Sequence, residues 1–240
     1  MGADIRRVSE RKIIIVGVKK LHGTSFEIMP DRNEVVTFAL AALSTGGDII
    51  IEGTQREYLK AFLTKLDEAD AFWEPIDSLT TRFYAKGRFK STNIVTNPYP
   101  GFMTDWQAPW ALLMTQAIGL STIHETIFED RFSYVPQLKK MGANIAFFNP
   151  EVKSPEEFYN FNYKDKSHDK CQAIKIMGPT PLHDAILQTS DLRAGATLIL
   201  AALSAKGESY IFDLEHIDRG YEKIDERLSQ LGADIKRIKE

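Results

Sequence analysis

Residues 31–47, DRNEVVTFALAALSTGG, carry the pattern that decides the fold: an Asp, a polar first turn, an apolar run of helical length and closing glycines. The pattern returns as DWQAPWALLMTQAIG over residues 105–119 and as DLRAGATLILAALSAKG over 191–207. A β-rich run follows each copy (DIIIE at 48–52, STIHET at 121–126, ESYIF at 208–212), and then a second helical segment. Those second segments, YLKAFLTKL (58–66), FSYVPQLKKM (132–141) and YEKIDERLSQL (221–231), place apolar residues three and four apart, as a surface helix does. The first helices are mostly apolar (FALAAL, ALLM, LILAAL) and need burial on most of their surface. One such unit cannot cover its own apolar face, so the copies must stack with the apolar helices at the centre. The expected fold class is α/β, built of repeated strand-strand-helix-strand-helix units.

Two of the second helices close on nearly one phrase, Met141-Gly142-Ala143-Asn144-Ile145 and Leu231-Gly232-Ala233-Asp234-Ile235, and the third closes on a degenerate version at residues 66–71. The chain opens on the same phrase, Met1-Gly2-Ala3-Asp4-Ile5, with no helix ahead of it, so it is expected to start in mid-repeat. Short strands are expected at Lys12–Val16 and at residues 25–28, bounded by Gly17 and Gly23. The third copy holds extra length at about 149–170, dense in Pro, Asn, Lys, Asp and Ser, which reads as a surface insertion. Phe158, Tyr159, Phe161 and Tyr163 lie in it, either folding back as their own aromatic cluster or meeting a partner.

With 240 residues and 43% apolar content the chain can bury a real core. A net charge of −3 argues against a nucleic-acid partner, which calls for a basic face. No apolar run approaches the roughly 20 residues that span a bilayer, and no leader pattern is evident. The lone Cys171 excludes an intrachain disulfide framework and a cysteine zinc cluster. The expectation is a soluble cytoplasmic protein.

Each Asp at a helix threshold is first a candidate N-cap, and Asp31 with Glu34 has capping-box spacing. The arginines need a further reason. Arg32 and Arg193 follow an Asp near a helix start, while Arg56, Arg131 and Arg219 open the second helices. A cation in a first turn opposes the helix dipole, at about 0.3–1 kcal/mol when exposed. Ion pairs with Asp130 and Asp218 are one offset. An anionic ligand is the other, since helix N-termini flanked by arginines bind phosphates and carboxylates. The stretch 96–105, TNPYPGFMTD, is stiffened by Pro98, Pro100 and Gly101, so Asp105 is held in a rigid loop as a general base or hydroxyl-orienting group would be. His22, His124, His168, His183 and His216 lack ligand spacing, and no Gly-rich phosphate loop occurs, so no metal or cofactor is expected. Trp73, Trp106 and Trp110 read as packing residues.

Five separated phrases in order, PDRNEVVTFALAA from Pro30, NPYPGFMTDWQA from Asn97, ETIFEDRF from Glu125, TSDLRAGATLILA from Thr189 and HIDRGYEKIDERL from His216, resemble the enolpyruvyl transferases. FEDRF and HIDRGYE resemble the UDP-N-acetylglucosamine 1-carboxyvinyltransferase branch rather than its shikimate-pathway sibling. The resemblance implies an inside-out α/β barrel of three repeats per domain, with substrates in a cleft between two domains. It implies transfer of the enolpyruvyl group of phosphoenolpyruvate to the 3'-hydroxyl of UDP-N-acetylglucosamine, the first committed step of peptidoglycan synthesis. Asp105 then matches the carboxylate that contacts the attacking hydroxyl. Ile127 matches an apolar position met mainly through its backbone, and Arg219 matches an arginine gripping phosphoenolpyruvate. Asp191, Arg193 and Arg131 fall in the supporting shell, and Asp31 and Arg32 match a cleft-side pair. The family's proton-donating cysteine, its phosphoenolpyruvate-binding lysine and most uridine contacts belong to the first half of the full enzyme, and Cys171 does not match that motif. By this resemblance residues 1–29 are a remnant of the first domain and 30–240 are the second. The chain alone is then expected to be inactive and to have the missing N-terminal half as its partner. A non-catalytic sugar-nucleotide-binding homologue and one half of a split enzyme are the alternatives.

Overall fold

The computed structural model describes residues 1–9, 12–165 and 170–238. The chain divides into two compact units, Met1–Pro30 and Asp31–Glu240. In the first, β1 (Asp4–Ser9) pairs antiparallel with β2 (Lys12–Val16), with Asp4 opposite Val16. Residues 25–28, expected as a strand, form none. Phe26 and Ile28 are 85% and 84% exposed, and no described strand runs beside them to take up their backbone groups.

The second unit begins with α1 (Arg32–Thr45), β3 (Asp48–Ile51), α2 (Lys60–Glu68), β4 (Phe72–Pro75) and β5 (Thr81–Tyr84). It continues through β6 (Asn93–Val95), α3 (Gln107–Gln116), β7 (Gly119–His124), α4 (Val135–Lys140), β8 (Ile145–Phe148), α5 (Pro155–Phe158) and β9 (Ala173–Gly178). It closes with β10 (Ile186–Gln188), α6 (Leu192–Ser204), β11 (Tyr210–Phe212), α7 (Glu215–Asp218) and α8 (Ile224–Gln230). Three sheets result, ordered β3-β5-β4, β6-β7-β9-β8 and β10-β11. Three strands, not the expected two, lead into α3 and into α6. The additional ones, β6 and β10, are short and pair parallel with β7 and β11, the strands on the far side of each helix. A parallel pair needs a crossover, and the buried helix supplies it.

The apolar helices α1, α3 and α6 pack on one another. Positions 35–44 of α1, 107–115 of α3 and 194–201 of α6 are all buried. Contacts at both ends make α1 and α3 parallel: Asn33 meets Asp105 and Trp106 at the N-terminal ends, and Gln116 Nε2 donates to Ser44 O at 2.9 Å at the other. Trp106 and Trp110 are core residues, 1% and 0% exposed, with Phe62 and Phe102 rings at centroid distances of 5.5–6.1 Å. Of the closing glycines only Gly46 caps its helix, at φ 73°; α3 and α6 end on extended Ala117 and Ala205.

The excursion after β8 does fold back on itself. Tyr159, 4% exposed, stacks on Tyr163 and hydrogen-bonds His124 Nε2 at 3.0 Å. Residues 166–169, including His168, lie outside the described residues. Among the described residues no helix is long and apolar enough to cross a membrane.

The end of β9 lies hard against the last turn of α3. A Cβ on Gly178 would stand 2.4 Å from Ala117 O and 2.8 Å from both Met114 O and Thr115 O. These are backbone atoms that cannot swing aside. Gly178→Ala should therefore destabilise the fold by about 1–3 kcal/mol, the usual range for overpacking, measured by urea unfolding. Unchanged stability would show that the sheet and helix are not seated this closely.

Candidate functional site

Asp105 sits in a single 3-10 turn, Thr104–Trp106, ahead of α3, and its side chain caps neither helix. The cap reading therefore fails at this one Asp and holds at the other two. Asp31 accepts from Asn33 N, and Asp191 accepts from Arg193 N and Ala194 N. Capping requires the carboxylate to turn back on its own helix, and that of Asp105 turns outward to neighbouring chain segments. Oδ1 accepts from Arg131 Nη2 at 2.6 Å, while Oδ2 accepts from Arg193 Nη2 at 3.2 Å and Asn33 Nδ2 at 3.4 Å. The side chains of Asp105 and Arg131 are each 26% exposed, and that of Arg193 is 14% exposed.

The loop that delivers Asp105 is braced as its composition implied. Asn97 N donates to Phe102 O and Gly101 N to Pro98 O, both at 2.8 Å. A Cβ on Gly101 would fall 2.4 Å from that of Asn97, so the turn admits only glycine. Arg131 arrives four residues before α4 rather than opening it. Its carbonyl accepts from Gln107 Nε2 at 3.1 Å, and its guanidinium lies over the Phe128 ring. Ser133 Oγ donates to Asp191 Oδ2 at 2.7 Å, which ties this segment to the start of α6.

The ion pairs that could have explained the arginines go elsewhere. Asp130 is bound by Lys170 and Asp218 by Arg237. Arg131 and Arg193 share Asp105 instead, leaving that trio one positive charge in excess. Arg219 follows α7, which packs on α6; its backbone N–H donates to Ile217 O, but it is exposed and its side chain has no hydrogen bond or ion pair among the described residues. Arg32 lies over the Tyr99 ring, and the expected capping box is absent because Glu34 pairs with Arg227 at 2.6 Å. Asp105, Arg131, Arg193 and Asp191 thus join one network. Asp31 reaches it through Asn33 N at 2.8 Å, while Arg32, Ile127 and Arg219 are not bonded into it through their side chains.

Sequence reasoning passed over four polar residues that build the site. Asn33 bridges α1 to Asp105, with Trp106 Nε1 donating to its Oδ1 at 3.0 Å. Tyr221 and Thr37 support Arg193: its Nη1 meets Tyr221 Oη at 2.9 Å, which lies 2.7 Å from Thr37 Oγ1. Burial opposes the Arg193 charge, but Tyr221, Asp105 and Asp31 outweigh it and raise its pKa, so the cation persists. Glu125, fully buried, accepts from Thr104 Oγ1 at 2.8 Å, Ile127 N at 2.7 Å and Phe128 N at 3.2 Å. It thereby locks the Asp105 loop to the turn of Ile127. One signal was available: Thr37 and Thr197 occupy the same place in two copies of the repeat, polar positions in otherwise apolar helices.

This arrangement, a carboxylate between two guanidiniums at the tips of parallel helices, sits in a chain whose residues 1–228 match the family model described as EPSP synthase (3-phosphoshikimate 1-carboxyvinyltransferase). The chain belongs to the enolpyruvyl transferase family. The UDP-N-acetylglucosamine 1-carboxyvinyltransferase of Magnetococcus marinus is 41% identical over 238 residues, 99% of this chain and 52% of that protein. Its counterpart from Koribacter versatilis is 41% identical over 240 residues, 100% of this chain and 50% of that one. This enolpyruvyl transferase chain spans about half the length of the relatives it matches. Among solved structures, the enolpyruvyl transferase NikO from Streptomyces tendae gives a TM-score of 0.78 at 26% identity, covering 98% of this chain and 51% of that one. An EPSP synthase from Acinetobacter baumannii gives 0.64 at 18% identity over 99% and 53% of the two chains, a likeness of fold.

Burial raises the Glu125 pKa above its ordinary value, against the pull of its hydrogen bonds to Ile127, Thr104, Thr96 and Phe128. A carboxyl with a raised folded pKa favours the native state when protonated. That contribution is lost as pH rises from the unfolded value, about 4.3, through the folded one. The stability of the wild type minus that of Glu125→Gln should therefore shrink as pH rises above about 4, followed by urea titrations at successive pH values. A difference that grows with pH would contradict it.

Proposed function

We infer that this chain supplies the Asp105-bearing part of the site of a UDP-N-acetylglucosamine 1-carboxyvinyltransferase, acting in peptidoglycan synthesis. The carrying observation is the Asp105 carboxylate held by Arg131 and Arg193, with 41% identity to relatives of that name in support. The unit from residue 31 onward is on this reading the helix-centred barrel of the family's second domain. The hairpin before it belongs with the first, and the groups absent here come from the half of the relatives that this chain does not match.

Asp105 accepts the proton of the 3'-hydroxyl of UDP-N-acetylglucosamine as that oxygen adds to C2 of phosphoenolpyruvate. C3 gains a proton from a group outside this chain. The tetrahedral adduct then loses phosphate and a C3 proton, giving the enolpyruvyl ether. Charge on the phosphate and carboxylate is met by arginines already in place, so little reorganisation is needed as the reaction proceeds. Arg219, exposed and without an ion pair among the described residues, is the cation offered to phosphoenolpyruvate, beside Arg193 and Arg131. Asp191 holds the start of α6, and Asp31 and Arg32 line the α1 side. Ile127, whose N–H is committed to Glu125, meets the sugar nucleotide through its carbonyl.

The test is phosphate release from UDP-N-acetylglucosamine and phosphoenolpyruvate. The chain alone should give none above background, and mixing it with the first half of a relative should restore turnover. Asp105→Asn should then lower kcat by about 10²–10⁴-fold, the span associated with a positioned general base. Full turnover by the Asn variant would remove Asp105 from the chemistry, and turnover by the chain alone would overturn the division of the site.

A further inference from the structure

The hydrogen bonds around Asp105 form a closed circuit anchored by groups that can only donate. Arg193 Nη1 can only donate, so the Tyr221 hydroxyl accepts there and its own proton is directed to Thr37 Oγ1, 2.7 Å away, which lies 2.9 Å from Asn33 O. The Tyr221 hydroxyl therefore donates toward α1 and turns its lone pairs to Arg193 Nη1, 2.9 Å away. Arg193 reaches Asp105 Oδ2 with Nη2, and Asn33 Nδ2 reaches the same oxygen. The Asn33 amide cannot be flipped, because an indole N–H, which only donates, meets its Oδ1. Both acceptor positions of Oδ2 are then filled, whereas among the described residues Oδ1 receives only Arg131, leaving one of its positions to a substrate donor.

We propose that Tyr221 is a positioning residue for enolpyruvyl transfer: its phenol holds Arg193 to Oδ2 of Asp105 and so keeps the open position on Oδ1 for the attacking hydroxyl. The role rests on the reading of Asp105 given above. Guanidinium–carboxylate pairs frequently form a two-bond fork. Here Tyr221 holds Nη1, so the end-on Nη1/Nη2 fork is closed and the acid receives Nη2. Burial, at 1% exposure, keeps the phenol in its neutral, donating form, with its pKa raised above the ordinary value. Removing the phenol oxygen frees the second prong to swing onto Oδ1 and cover the place where the hydroxyl must bind.

Tyr221→Phe keeps the buried ring and deletes only that oxygen. In the chain assembled with the first half of a relative, kcat should fall by about 10- to 100-fold, as for a modest misplacement of reacting groups. KM for UDP-N-acetylglucosamine should rise, and KM for phosphoenolpyruvate should change less. In an Arg193→Met background the phenol has nothing to restrain, so adding Tyr221→Phe should cause no further loss. Wild-type kinetics for Tyr221→Phe, or losses that multiply with those of Arg193→Met, would overturn the proposal. Nitrogen-15 NMR of the arginine side chains reads the restraint without turnover, in the chain by itself. The Arg193 guanidinium protons should be resolved in the wild type and merge in Tyr221→Phe, with Thr37→Val as a second variant that removes the phenol's acceptor. Unchanged signals in both variants would refute the positioning role even in an active enzyme. Merged signals with no turnover by the assembled wild type would leave the positioning intact and refute the reaction instead.

Discussion

One carboxylate shared by two guanidiniums sets the terms for the rest of the second unit. Each inner helix brings a partial positive charge to its N-terminal end. Bringing three such ends close together, with arginines beside them, concentrates like charge, and the chain answers with three aspartates. Two are spent locally, Asp31 on α1 and Asp191 on α6, as caps. The third, Asp105, is held off its own helix and serves Arg131 and Arg193 together. A single carboxylate thus serves two cations, and neither guanidinium has a partner of its own in that trio.

The core makes this geometry rigid. Trp106 shows how closely packing and site are joined: its ring lies among Phe62 and Phe102, while its indole N–H fixes the Asn33 amide. Tyr134 does the same from another side, fully buried and donating to Gln107 Oε1 at 2.9 Å, whose Nε2 in turn holds the Arg131 carbonyl. Polar atoms in these positions are costly unless every one is matched. Here the matching runs between elements rather than within them, so the arrangement of the helix ends cannot relax piecemeal. The aromatic excursion after β8 adds a separate brace, seating Tyr159 against His124 on the strand that leads to Glu125.

Membership of the enolpyruvyl transferase family fits this division of labour. A chain of about half its relatives' length carries a carboxylate held by two arginines, and the repeat makes the unit from residue 31 onward a coherent one. Each copy contributes a buried helix, and the three helices together form a core that no single copy could bury.

The fold was legible in the primary structure because hydrophobic periodicity is local. Three apolar segments of similar length, each behind an Asp and ahead of a β-rich run, could be satisfied only by stacking. The failures have equally plain causes. Residues 25–28 have the composition of a strand, but a strand exists only where a neighbour supplies its hydrogen bonds. Asp105 has the position of a cap, yet capping depends on which way a carboxylate turns, and Arg131 and Arg193, 26 and 88 residues further along, decide that. The Glu34 capping box was lost in the same way to Arg227, 193 residues distant. What the sequence by itself determined was which helices are buried, where they start and that their starts are rich in charge. Only the tertiary structure decided which charge faces which, because pairing energies are set by distances of about 3 Å between groups whose separation along the chain says nothing about their separation in space.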